Sequence, residues 1–94
     1  MADETATMAT MHRWLDAVCA ELGVDRSVVD ASTAALLDLI RDVAHGPSRP
    51  GAPMTAFLVG LSAGQAGPDA GAQASAVAER VERVEALVAR WPSP

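Results

Sequence analysis

Lysine is missing from this chain. All seven basic side chains are Arg, set against twelve Asp and Glu, for a net charge of −5. An acidic chain with scattered Arg repels a phosphate backbone, which excludes sequence-independent binding of nucleic acid. Aromatics are almost absent too: Phe57 is the single Phe, accompanied only by Trp14 and Trp91. The clustered β-branched and aromatic runs that a sheet core needs are therefore lacking. A lone Cys19 forms no internal disulfide and falls inside a helical pattern, so it reads as a buried free thiol in a reducing compartment. The opening MADETATMAT has neither the basic patch nor the long apolar run of a signal peptide. No stretch reaches about 18 uninterrupted apolar residues, the length a membrane span requires. The expectation is a cytoplasmic protein without membrane association.

Metal and catalytic constellations are equally scarce. His12 and His45 are the only histidines, and neither they nor Cys19 show the spacing of a ligand set, so no metal or other cofactor is expected. His12 and Cys19 stand two helical turns apart, about 10 Å, too far for direct proton transfer. Asp38 and Asp42 lie one turn apart on a polar face and read as solvated surface charge, since a general acid needs burial to shift its pKa.

What is present in quantity is alanine, 20 of 94 residues, within an apolar fraction of 50%. A core of Ala, Leu, Val and Met is thin and suits close helix packing. The length fits one domain. Such a domain has only a few kcal/mol of stability in hand, on the order of 3–5, and gains from a partner or from self-association.

The pattern resolves into four helices. Residues 1–7 read as a flexible N-terminal lead-in. Met8, Met11, Leu15, Val18 and Leu22 then recur three and four apart, widened by Trp14 and Cys19, as the buried stripe of a first helix. Gly23 suits the left-handed position that ends it, with Val24 folding back. Residues 25–31 are ambiguous: Asp25 suits the cap of a short turn through Arg26, Ser27, Val28 and Val29, and Asp30 or Ser32 suits the cap of the second helix. That helix runs to about Ala44, burying Leu36, Leu37, Ile40, Val43 and Ala44, and Gly46 and Pro47 end it.

Pro47 and Pro50 stiffen the connector at 46–52, and Pro53 takes the first turn of a third helix that reaches about Gly64. Met54, Phe57, Leu58 and Leu61 form its bulky side; Ala56, Gly60, Ala63 and Gly64 form a small side. A helix apolar all round belongs in the middle of a bundle, so this helix reads as the central one, with Gly60 retained for packing. Asp69 caps the last helix, whose stripe is Ala70, Ala74, Val77, Val81, Val84, Val88 and Trp91, with Leu87 at one edge. This stripe faces the other helices. Glu79 and Arg83 pair on its outer side. The result is an all-α fold, a compact bundle of four main helices over 8–91 with room for a short extra turn near residues 26–30, and a tail at 92–94.

Individual chemistry gathers around the connector. Arg41, His45 and Arg49, with Thr55 and the free N–H groups of the third helix N-terminus, suit a small anion or an acidic side chain. The bland alternative has His45 capping the second helix while Arg49 pairs with Asp38 or Asp42. Trp14 and Trp91 belong to the core by default; an exposed one is a contact anchor for another protein. A DNA-reading helix pair does not fit, because two prolines join the second helix to a third that is too apolar to enter a groove.

The segments WLDAVCAELGV, LLDLIRDVAH and RPGAPMTAFLVGLSAG resemble a small uncharacterised family of actinobacterial helical domains over Trp14 to Gly64. Gly51 departs from that pattern, where Ala is the more usual residue, and loosens the loop slightly. The family includes short stand-alone chains, and it resembles the tail of some molybdopterin-guanine dinucleotide biosynthesis nucleotidyltransferases. The resemblance implies an accessory role beside such an enzyme, with nucleotidyl transfer belonging to the other domain. The expected function is a non-catalytic accessory or protein-interaction module associated with molybdenum cofactor biosynthesis. Two alternatives stand beside it: a small anionic ligand-binding module built on the 45–55 loop, and a structural homodimer joined through the Val stripe or Trp91.

Overall fold

The computed structural model describes residues 2–92, with the side chain of Ala2 left out. Four helices and no strand are found among the described residues: α1 (Ala2–Leu22), α2 (Arg26–His45), α3 (Gly51–Gly64) and α4 (Ala70–Ala89). The first helix begins at Ala2, so that residues 2–7, expected as a lead-in, continue it. Of the expected tail, Pro92 follows α4 and residues 93–94 lie outside the described part.

Local chemistry explains the boundaries. Gly23 adopts φ 69°, and the Val24 N–H donates to the Cys19 carbonyl at 3.0 Å, closing α1 in the glycine-dependent manner. Asp25 accepts from the Ser27 N–H at 2.9 Å and so caps α2 itself. The segment 26–30 is the start of α2 rather than a separate turn, and Ser32 lies well inside the helix. Asp69 caps α4 by accepting from the Ala72 N–H at 2.8 Å. Pro50 precedes α3 without a side-chain cap; Ser48 Oγ instead accepts from the Gly51 N–H at 3.1 Å.

The closely packed part consists of α2, α3 and α4, while α1 packs on α2 alone. Gly46 at the end of α2 lies beside Val88 near the end of α4, so these two helices run the same way. Ser62 meets Arg80 and Thr55 shares a groove with Arg90, so α3 runs against them. The molecule is flat, 41 × 38 × 18 Å.

The core is small, as alanine content required: Leu39, Val43, Ala52, Val59, Ala63, Ala76, Val77 and Val81. Leu39 is its one large side chain with no exposure at all. The α2 stripe is therefore centred on Ser32, Leu36, Leu39 and Val43, and Leu37, expected inside, points outward. Burying Leu39 rotates the stripe by one position from the sequence reading. The α4 stripe from Ala70 to Val88 faces inward as expected, but Trp91 beyond it is exposed.

The largest departure concerns α3. Its buried residues are Ala52, Val59 and Ala63, and its bulky residues face away from the core. The bulky side turns outward, and of the expected small side only Ala63 is buried while Gly60 and Gly64 are exposed; the face that packs runs through Ala52, Val59 and Ala63. Gly60 has open space where a Cβ would stand, so packing within the chain does not account for it.

Candidate functional site

The third helix carries no charged residue and presents Met54, Phe57, Leu58 and Leu61 to the surface. Each is 58 or 59% exposed. Their positions at i, i+3, i+4 and i+7 place them on one face. Together they expose on the order of 400 Å² of apolar surface, comparable with the largest such patch on an ordinary monomer. A face of this kind is costly to leave in water.

Beside it, between α3 and α4, runs an open groove of about 640 Å³. Leu58, Val59, Val84 and Leu87 supply its apolar lining, and Arg80, Arg83 and Arg90 supply its charge. Arg80 Nε donates to Ser62 Oγ at 2.9 Å, joining the two helices, while its Nη1 reaches Glu79 at 2.6 Å. Arg83 approaches Glu79 at 3.5 Å, the pair expected from their spacing. Arg90 makes no ion pair among the described residues, and no carboxylate lines the groove.

The residues singled out around the connector are placed differently from one another. Arg41 approaches Asp38 at 3.6 Å and Asp42 at 3.3 Å, taking the carboxylates assigned to Arg49 in the bland reading. His45 is the exposed last residue of α2, and Arg49 is exposed in the connector. Thr55 Oγ1 donates back to the Gly51 carbonyl at 2.8 Å, and its side chain belongs to the α3–α4 groove. No hydrogen bond or ion pair joins Arg41, His45, Arg49 and Thr55 to one another among the described residues. Both Trp residues, expected in the core by default, are exposed: Trp14 at 66% and Trp91 at 54%.

Two clusters escaped the sequence reading. Arg26 is the hub between α1 and α2. Its Nε donates to Asp16 at 2.7 Å, its Nη1 to Asp30 at 2.8 Å and its Nη2 to His12 Nδ1 at 2.8 Å. Guanidinium is donor only, so Nδ1 accepts and His12 carries its proton on Nε2. The Asp16 hydrogen bond is the main cause of a raised Arg26 pKa. In the second cluster, Glu85 on α4 faces Asp42 on α2. Burial raises its pKa first, followed by proton sharing with Asp42 and by the charges of Asp42 and Asp38, with Arg41 opposing. At the α2 cap, the hydrogen bonds from the Ser27 hydroxyl and then the Ser27 N–H lower the Asp25 pKa. Among the described residues no group of three or more His, Cys, Asp and Glu is placed to hold a metal ion, and no helix is long and apolar enough to cross a membrane.

Comparison with protein families matches residues 6–94 to the model described as Domain of unknown function (DUF6457). Nothing among curated proteins or solved structures matches the chain.

Proposed function

The chain belongs to the DUF6457 family, and from that premise we propose that it is a non-catalytic accessory module that docks onto another protein through the outer face of α3. The exposed row Met54, Phe57, Leu58 and Leu61 carries this reading. A thin core does not lose four bulky apolar residues to the surface without offset, and a partner that covers them supplies it. Trp14 and Trp91, both exposed, are further anchors of the residue type that dominates binding energy.

The proposed partner is a nucleotidyltransferase of molybdopterin-guanine dinucleotide biosynthesis, in the cytoplasm of an actinobacterial cell. The resemblance of the Trp14–Gly64 segments to tails of such enzymes supports this choice. Titration calorimetry between the purified chain and that enzyme tests it. Phe57→Asp with Leu61→Asp is expected to abolish binding while leaving helix content unchanged, because both positions are exposed. Binding that survives the double substitution sinks the proposed face. Turnover of a nucleotide or pterin substrate by the isolated chain sinks the accessory role.

The anion-binding alternative rests on His45 and Arg49, both exposed. Its other two members have partners already, Arg41 in Asp38 and Asp42 and Thr55 in Gly51. The apolar face is the better supported of the two.

A further inference from the structure

We infer that the element seated on this face is an acidic amphipathic helix of a different protein, lying in the α3–α4 groove with its apolar stripe on Leu58 and Leu87 and its carboxylates on Arg83 and Arg90. The inference rests on the docking role of α3 and specifies what docks there.

Charge selects the occupant. The groove holds three of the seven Arg residues of a chain whose net charge is −5. One whole wall, α3, is uncharged, and no carboxylate lines the groove to neutralise the other. Arg80 is engaged with Ser62 and Glu79. Arg83 remains 71% exposed with its partner at 3.5 Å, and Arg90 has no ion pair among the described residues. Two cations therefore stand over an apolar floor with little local compensation, and partner carboxylates supply it.

Shape selects a helix. Arg80, Arg83, Leu87 and Arg90 recur at i, i+3, i+7 and i+10 along α4, a row about 15 Å long. The α3 row from Met54 to Leu61 runs beside it for about 10 Å. A helix of about three turns matches the length of the α4 row and meets the exposed α3 row at Leu58, the residue of that row that lines the groove, in the manner of helix-in-groove recognition. A second copy fits poorly, because a two-fold contact sets the same patch against itself and brings the arginines of one groove toward those of the other. A flat anionic lipid surface leaves the concave floor unfilled.

The test uses the full chain and designed helical peptides of about three turns, with one Leu stripe flanked by Glu, Gln or Lys, read by fluorescence anisotropy. The Glu peptide is expected to bind about tenfold more tightly than the Gln peptide, the size of two or so exposed charge pairs. Arg83→Glu with Arg90→Glu removes that preference and favours the Lys peptide, whereas Leu58→Asp weakens all three. Equal or tighter binding of the Gln or Lys peptide to the native chain overturns the inference. So does a concentration-dependent dimer abolished by Leu58→Asp, or binding to anionic vesicles with none to any peptide. Calorimetry with the nucleotidyltransferase separates the two levels. Loss with Phe57→Asp and Leu61→Asp but not with the Arg reversals retains the docking face and rejects its acidic occupant. Indifference to both pairs rejects the face itself.

Discussion

Gly60 is a glycine inside a helix that packing within the chain does not require. It sits in α3 with ordinary helical backbone, since positive φ is confined to Gly23 and Gly67 among the described residues. A Cβ there meets nothing within 4 Å. Glycine inside a helix is disfavoured against Ala by about 0.5–1 kcal/mol, and no clash offsets that here. Gly60→Ala is therefore expected to raise unfolding stability by that amount in urea denaturation; a loss of stability refutes the account. Gly23 is the contrasting case, because its φ of 69° strains any side chain. Gly60 lies next to the bulky row of α3 and is exposed with it.

At the scale of elements, α1 is the loosely held member. It packs on α2 alone, and Arg26 gathers Asp16, His12 and Asp30 in one guanidinium fork. Arg26→Gln keeps a polar side chain but loses the fork and the charge. The expected result is faster amide exchange across α1 with no change at Leu39, Val43 or Val77. Cys19, a free thiol buried on α1, supplies a second readout, since its labelling by a thiol reagent should quicken with α1 opening. Uniform acceleration of all four helices contradicts this view of α1 as a separable unit.

How far the elements were legible follows from the range of the forces that define them. Gly23, Asp25 and Asp69 act within a few residues, so the C-terminal end of α1, a cap at Asp25 and the start of α4 are legible directly. The α4 stripe was legible because its other face is charged. The α3 sequence is apolar on both sides, and periodicity cannot say which side packs. The deciding fact is the narrow seat left by Leu39, Val43, Val77 and Val81, which admits Ala52, Val59 and Ala63 and rejects Phe57. Arg26 and Arg80 were missed for a related reason. Their partners Asp16, His12 and Ser62 lie 10, 14 and 18 residues away, where no local pattern registers them.

For the whole molecule, the acidic balance acts where helices meet. Glu85 and Asp42 face one another between α4 and α2, the two helices that run in the same direction through the core. Because the folded Glu85 pKa lies above its ordinary value, the folded chain binds its proton more tightly than the unfolded chain does. The resulting stabilisation is complete below the unfolded value and is lost as pH rises through the raised folded one. At neutral pH the ionised carboxylate is left with the burial penalty and the repulsion of Asp42 and Asp38. Asp25 works in the opposite sense: its lowered pKa stabilises the fold above the unfolded value and fails as pH falls through the folded one. Glu85→Gln keeps the shape and removes the charge, so it is expected to raise the Tm at pH 7 and to lose that advantage near pH 4. Asp42→Asn should act in the same direction. The double variant should gain less than the sum, because the repulsion between the two carboxylates is removed by either change alone. A Tm difference for Glu85→Gln that is constant from pH 4 to pH 7, or a full sum in the double variant, excludes carboxylate repulsion between α2 and α4 as the cause.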